Sequence, residues 1–343
     1  MLFKFLFPRD KIHHATACLI QGLHGLGHEI HANYRPTSEN VLSNAINRSF
    51  SSEIADYVHI TSDFSDKLII TDVTNGYGKL KEQIDSLSSS TKVVAIDMDD
   101  MSVYHPHNPN LYLFLGHYNS LTPRNPRTLP LAFGLSEEII STAELIKSTV
   151  NREGILHNFR PTPTQDVRNA LDLSLVTNLE KYFKVNRSFS GPKEYPVHLS
   201  SHQAVLCYGG QFYQNLSKHL IQFENQILPE AISFSSCPDF PVIHRFDSWR
   251  LYEAALFGAA PIALNFEKYG FVTGANPRAW VEYIPVEFDK VESLPVELAA
   301  RLKDDPEFLI KVGQNARRWV IDHHSPLAAA KRFISQLKEI NIV

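Results

Sequence analysis

Arg250 and Glu253 stand three residues apart at the start of the run Phe-Asp-Ser-Trp-Arg-Leu-Tyr-Glu-Ala-Ala-Leu-Phe-Gly, residues 246–258. Asp247 and Ser248 are residue types that cap helix N-termini, and Trp249, Tyr252 and Leu256 recur at helical spacing. Gly258 stops that helix, and Pro261 opens the apolar run 262–264 as a buried strand. The spacing therefore predicts an outward pair of opposite charges on the first turns of a helix. A helix N-terminus attracts anions through its free amides and its dipole, and an arginine there strengthens the attraction. Taken alone, the pair reads as a surface ion pair of about 0 to 1 kcal/mol.

Carboxylates form a second candidate group. Asp97, Asp99 and Asp100 follow the apolar run 93–96, with Met98 between them. At a strand end such a cluster fits a divalent cation, a general base, or a turn cap without chemistry. The capping and base readings rank above metal. His13 and His14 follow the first apolar run, and an imidazole titrates in the range a base needs. The pair at Asp322, His323 and His324 has no third ligand at zinc spacing, and Ser325 and Pro326 after it read as a helix break. Gly25 to His28 lie after a helix and before a strand, the reverse of a phosphate loop, so they read as a C-cap turn. Tyr208, Gly209 and Gly210 fit either a close backbone approach to a ligand or a tight turn into a helix from Phe212 to residue 227.

Short apolar runs at 2–7, 29–33, 68–70, 93–96 and 112–115 alternate with helical patterns such as 15–23, which predicts a mostly parallel sheet flanked by helices. A helical stretch at 136–150 leads out of this domain. A second series of runs follows at 154–156, 204–207, 231–234, 262–264 and 283–286, with a Ser, Gly and Pro rich loop at 188–196. Residues 295–337 are helical by pattern. The expected division is residues 1–150 and 151–343.

The chain has 343 residues, 43% of them hydrophobic and 20% charged, which suits two ordinary globular domains. A formal net charge of −4 gives no general footprint for nucleic acid. Three scattered cysteines and no apolar run near the length of a membrane span lead to the expectation of a cytoplasmic protein. Peripheral membrane contact stays open.

The segment 246–271 resembles the donor-site motif of the exostosin-like glycosyltransferases, in which Ser-x-Arg-x-x-Glu is followed by a small residue, Pro and an apolar strand. Ser248, Arg250 and Glu253 stand at the motif positions, with Ala260, Pro261 and Ile262 after them and Tyr269, Gly270 and Phe271 at the close. The resemblance implies a GT-B fold: two Rossmann-like domains facing each other across a cleft, an acceptor side in 1–150, a nucleotide-sugar donor side in 151–343, and a helical C-terminal tail. It implies a nucleotide diphosphate-sugar donor and a hydroxyl acceptor, expected to be a glycan, with no metal or other cofactor required. Asn158 and Arg160, in the polar loop after the run 154–156, would face the donor diphosphate, as would Ser236, Arg245, Asp247, Ser248 and Arg250. Glu253 would accept from ribose hydroxyls. Asp99, Asp100 and His14 are the candidate catalytic groups, the histidines lying where some GT-B enzymes place a base. The alternatives are a metal-dependent transferase of the GT-A kind, with Asp97, Asp99 and Asp100 as an Asp-x-Asp motif, and a GT-B-shaped module that binds nucleotide or sugar without turnover.

Overall fold

The computed structural model describes residues 1–7, 12–37, 41–42, 53–73, 87–98, 109–121, 126–146, 151–159, 166–188, 190–191, 193–212, 242–244, 246 and 248–343. Their contacts divide the chain into two units. One holds residues up to 140 together with 323–343, and the other lies within 141–322.

The first unit is built on a seven-stranded parallel sheet. Its strands are β1 (Leu2–Phe5), β3 (Glu29–Ala32), β5 (Val58–Ile60), β6 (Leu68–Asp72), β7 (Lys92–Asp97), β8 (Leu111–Leu115) and β9 (Thr128–Pro130), in the order β5-β3-β1-β6-β7-β8-β9. Two-residue strands β2 (Ile12–His13) and β4 (Val41–Leu42) pair beside it. The central strands are continuous apolar runs because both of their faces are covered: β7 is buried from Val93 to Asp97 and β6 from Ile69 to Asp72. Val73, Val93, Ala95, Leu111, Leu113 and Leu115 form one core cluster. The turn after the helix His14–Gly25 is the expected C-cap, with the Leu26 amide donating to the Gly22 carbonyl and that of Gly27 to His24.

The second unit carries β10 (Ile155–Leu156), β11 (Val185–Asn186), β12 (Ala204–Leu206), β15 (Ala260–Leu264) and β16 (Ile284–Val286), parallel throughout, in the order β11-β10-β12-β15-β16. A small antiparallel pair, β13 (Gln211–Phe212) with β14 (Ile243–His244), lies beside it. Phe212 is therefore a strand residue and not the first residue of a helix. Gly210, at φ 120°, lets the two strands meet: a Cβ there would lie 2.9 Å from the His244 carbonyl oxygen. The loop expected at 188–196 ends early, because Tyr195 and Pro196 open the helix Tyr195–Ser201. The expected strand 231–234 lies outside the described residues, as does the expected helix beyond Phe212.

The C-terminal region is three helices, Leu294–Asp304, Phe308–His324 and Pro326–Glu339. The break between the last two is the one expected, with Ser325 as N-cap accepting from the Ala328 amide. The last helix does not belong with the second half, as the division at residue 150 would have it. Its apolar face lies on the helix His14–Gly25, and the Phe333 ring packs tilted against Phe114 of β8 with ring centroids 4.8 Å apart. No described helix is long and apolar enough to cross a membrane.

Candidate functional site

The carboxyl ends of β10 and β12 and the first turns of the helix Trp249–Leu256 meet around the ring of Phe159. In open parallel sheets this edge is where ligands bind. His157, Asn158 and Phe159 follow β10 directly, and Cys207 and Tyr208 follow β12. The Phe159 ring stands edge-on to His157 and tilted on Tyr208, each 4.9 Å away between centroids.

Two guanidinium groups flank that ring. The Cζ of Arg168 is 4.8 Å from its centroid and that of Arg250 is 5.1 Å away. Each arginine is aimed by a backbone carbonyl: Arg250 Nε donates to Asn158 O at 3.1 Å, and Arg168 Nε to Tyr208 O at 3.3 Å. The Cys207 thiol donates to the Arg250 carbonyl, and the Ser190 amide donates to Asn158 Oδ1. Behind the ring, His157 Nε2 and the Tyr208 hydroxyl both donate to Asp172 Oδ1, at 2.9 and 3.2 Å. Asp172 opens a π-helical turn, Asp172–Val176, set within the helical stretch that begins at Asp166.

The outward Arg250 and Glu253 pair expected from the spacing is not what folds. The helix Trp249–Leu256 lies on β12 and β15 and buries every residue from Leu251 to Leu256, so Glu253 is 1% exposed while Arg250 is half-buried against Phe159. Burial pushes the Glu253 carboxyl up to about 7, against the pull of the Arg250 charge and the Tyr195 hydroxyl. Tyr195 is raised well above the phenol range by its own burial and by the Glu253 charge. Ser248 stands at the N-cap with extended backbone, but its side chain makes no capping bond.

Asn158, Ser248, Arg250 and Glu253 are thus brought together in the second unit. Arg160, Ser236, Arg245 and Asp247 lie outside the described residues, as do Asp99 and Asp100. Asp97 ends β7 with 6% exposure, its carbonyl accepting from the Gly116 amide. His14 is fully buried in the first unit with Nε2 3.2 Å from the Cys18 thiol, and burial holds its pKa well below the usual imidazole value. Its neighbour His13 caps the helix His14–Gly25, its Nδ1 accepting from the Ala15 amide at 3.1 Å. Arg168, Tyr195 and Asp172 were not among the sequence candidates. Arg168 sits in a polar helical stretch, and nothing in its local pattern announces a partner nine residues back.

No protein-family model matches the chain, and no curated protein matches it, so the resemblance to the exostosin-like family finds no support. Solved structures do match. AviGT4, a glycosyltransferase involved in avilamycin A biosynthesis, aligns with TM-score 0.52 and 12% identity over 99% of this chain and 98% of its own. A mutant O-GlcNAc transferase of Thermobaculum terrenum aligns with TM-score 0.50 and 8% identity over 99% of this chain and 67% of its own. Anabaena HepE in complex with UDP aligns with TM-score 0.47 and 12% identity, over 99% and 100%. The GT-A-like alternative thus loses its fold, and two Rossmann-like parallel sheets of seven and five strands with C-terminal helices place this chain in the GT-B glycosyltransferase fold.

Proposed function

We propose that the protein transfers a sugar from a nucleotide diphosphate-sugar to a hydroxyl acceptor, a glycan being the acceptor class expected. The observation that carries this reading is the pair of guanidinium groups, Arg168 and Arg250, on one aromatic ring at the carboxyl edge of the second sheet. Beside them lies the N-terminal turn of the helix Trp249–Leu256, without a side-chain cap at Ser248.

A leaving nucleoside diphosphate gains negative charge as the glycosidic bond breaks. Arginines fixed in advance stabilise that charge without reorganising, which is how such a site lowers a barrier. In this reading Arg168, Arg250 and the helix amides take the diphosphate, and no metal is needed for that task. Asn158 and Ser248 border the same place, and Arg160, Ser236, Arg245 and Asp247 are assigned to the donor on sequence grounds. The depth of Glu253 favours a role behind Arg250, holding its charge, over direct contact with ribose. On the acceptor side, Asp99, Asp100 and His14 remain assigned by sequence, and the burial of His14 makes it the weakest of the three.

The test is a thermal-shift titration of the whole protein with UDP, GDP, ADP and dTDP, followed by a transfer assay with the sugar form of whichever binds. A ligand that binds only the folded state raises the apparent stability. At least one of the four should raise the melting temperature, and Arg250→Ala should reduce the shift at the same ligand concentration. Silence from all four at millimolar concentration defeats the reading.

A further inference from the structure

We infer that Arg152, whose hydrogen bonds among the described residues go to the carbonyls of Leu199, His202 and Phe257, is a positioning residue that fixes where Arg250 stands; this rests on the reading of Arg250 as a donor ligand. Arg152 lies in the segment before β10. Its Nη1 donates to the carbonyls of Leu199 at 3.3 Å and His202 at 3.1 Å, and its Nη2 to that of Phe257 at 2.6 Å. Leu199 and His202 close the helix Tyr195–Ser201, and Phe257 closes the helix Trp249–Leu256. One guanidinium therefore satisfies the terminal carbonyls of two helices at once, where their dipoles are negative.

Those two helices carry the groups around Glu253. Tyr195 is on the first, and Arg250 and Glu253 are on the second. Neither helix has a side-chain hydrogen bond at its N-cap: Glu194 makes none and Ser248 makes none. Arg152 therefore holds both helices at their C-terminal ends, while the first turn of the helix Trp249–Leu256 is met by Cys207 and Asn158, so a change at the far end shifts Arg250 relative to those partners. That helix is only eight residues long, roughly 12 Å, so a tilt at Phe257 carries to Arg250.

The turn that Arg152 grips is also pressed from elsewhere. A Cβ at Gly258, where φ is 74°, would come 3.2 Å from Arg152 Nη2, and a Cβ at Gly313 of the helix Phe308–His324 would come 2.2 Å from the Gly258 carbonyl oxygen. The turn therefore has little freedom, and Arg152 is the side chain that ties it to the other helix. Burial and the charge of Arg317 hold the Arg152 guanidinium below its usual pKa. Arg152 is half-buried, so these hydrogen bonds are only partly screened by water. Three carbonyls in two directions call for a planar fork, and the single ammonium of lysine does not reproduce it.

The experiment compares wild type, Arg152→Lys and Arg152→Ala by calorimetric titration with whichever of UDP, GDP, ADP and dTDP the wild type binds. It is run well below each variant's melting temperature. Arg152→Lys keeps the charge and is the variant to read if Arg152→Ala fails to fold. We expect an affinity loss of about tenfold in Arg152→Lys with native far-UV circular dichroism. In the transfer assay the donor KM should rise while the acceptor KM stays. A role in stability alone would lower the melting temperature and leave the affinity of the folded fraction and both KM values unchanged, which would overturn the inference. If the wild type binds none of the four nucleotides, it is the proposed function that fails, and the two failures are told apart by that control.

Discussion

Glu253 gives the protein a pH dependence with a definite sign. Its carboxyl titrates at about 7 in the fold against an ordinary 4.5. Between those values the folded chain keeps a proton that the unfolded chain has released, so stability falls as pH rises through this window and levels off above it. The full loss is no more than about 3 kcal/mol. Urea unfolding of wild type and Glu253→Gln at pH 5 and pH 8 should show the difference between the two pH values shrinking in the variant. Equal differences would mean that Glu253 does not carry the effect. At the site itself, Arg168→Ala should weaken nucleoside diphosphate binding by about tenfold or more, the worth of a charge-assisted hydrogen bond, as should Arg250→Ala. An Arg168→Ala protein with unchanged affinity in the titration would leave Arg250 as the only one of the two that binds donor. Arg250 was legible in the sequence because capping types and helical spacing announce a helix start. Arg168 was not, because it joins the site through the Phe159 ring and the Tyr208 carbonyl, partners that no local spacing announces. The burial of Glu253 was equally hidden, since a spacing of three places two residues on one side of a helix without saying whether that side meets water or a sheet.

Among the elements, the parallel strands were readable as short apolar runs, since a strand covered on both faces needs apolar residues at nearly every position. The helix Tyr195–Ser201 was missed because Pro196 counts as a loop residue in a local reading, whereas proline is well tolerated in a first helical turn. Strands β13 and β14 are two residues each, too short for any periodicity, and they exist through pairing across the chain. Gly313 shows how closely the elements are set. Gly313→Ala would drive a Cβ to within 2.2 Å of the Gly258 carbonyl oxygen, and backbone on both sides leaves little to yield. The expected cost is about 3 kcal/mol, at the upper end of overpacking effects. Chemical denaturation reads this directly, and a change under 1 kcal/mol would show that the helix Phe308–His324 can shift away.

For the whole molecule, the alternation of runs and helical patterns was enough to foresee two parallel sheets. It did not reveal where the last helix goes, because an amphipathic stripe records that a face is buried and not what buries it. The helix Pro326–Glu339 meets the helix His14–Gly25 at Gly22, where a Cβ would fall 1.9 Å from the Pro326 carbonyl oxygen. Gly22→Val should therefore force the C-terminal helix out of its seat at a cost of at least about 3 kcal/mol and lower the melting temperature of the whole protein by several degrees or more. An unchanged melting temperature would argue that the helix contributes little. The return of residues 323–343 to the first unit joins the two ends of the chain in one folded unit. The Leu135 amide donates to the His324 carbonyl at 2.8 Å, so the returning chain is tied to the segment after β9 as it arrives. A cut at residue 150 would strip the sheet of its covering helix, so the N-terminal half expressed alone would expose the apolar face that Phe333 covers.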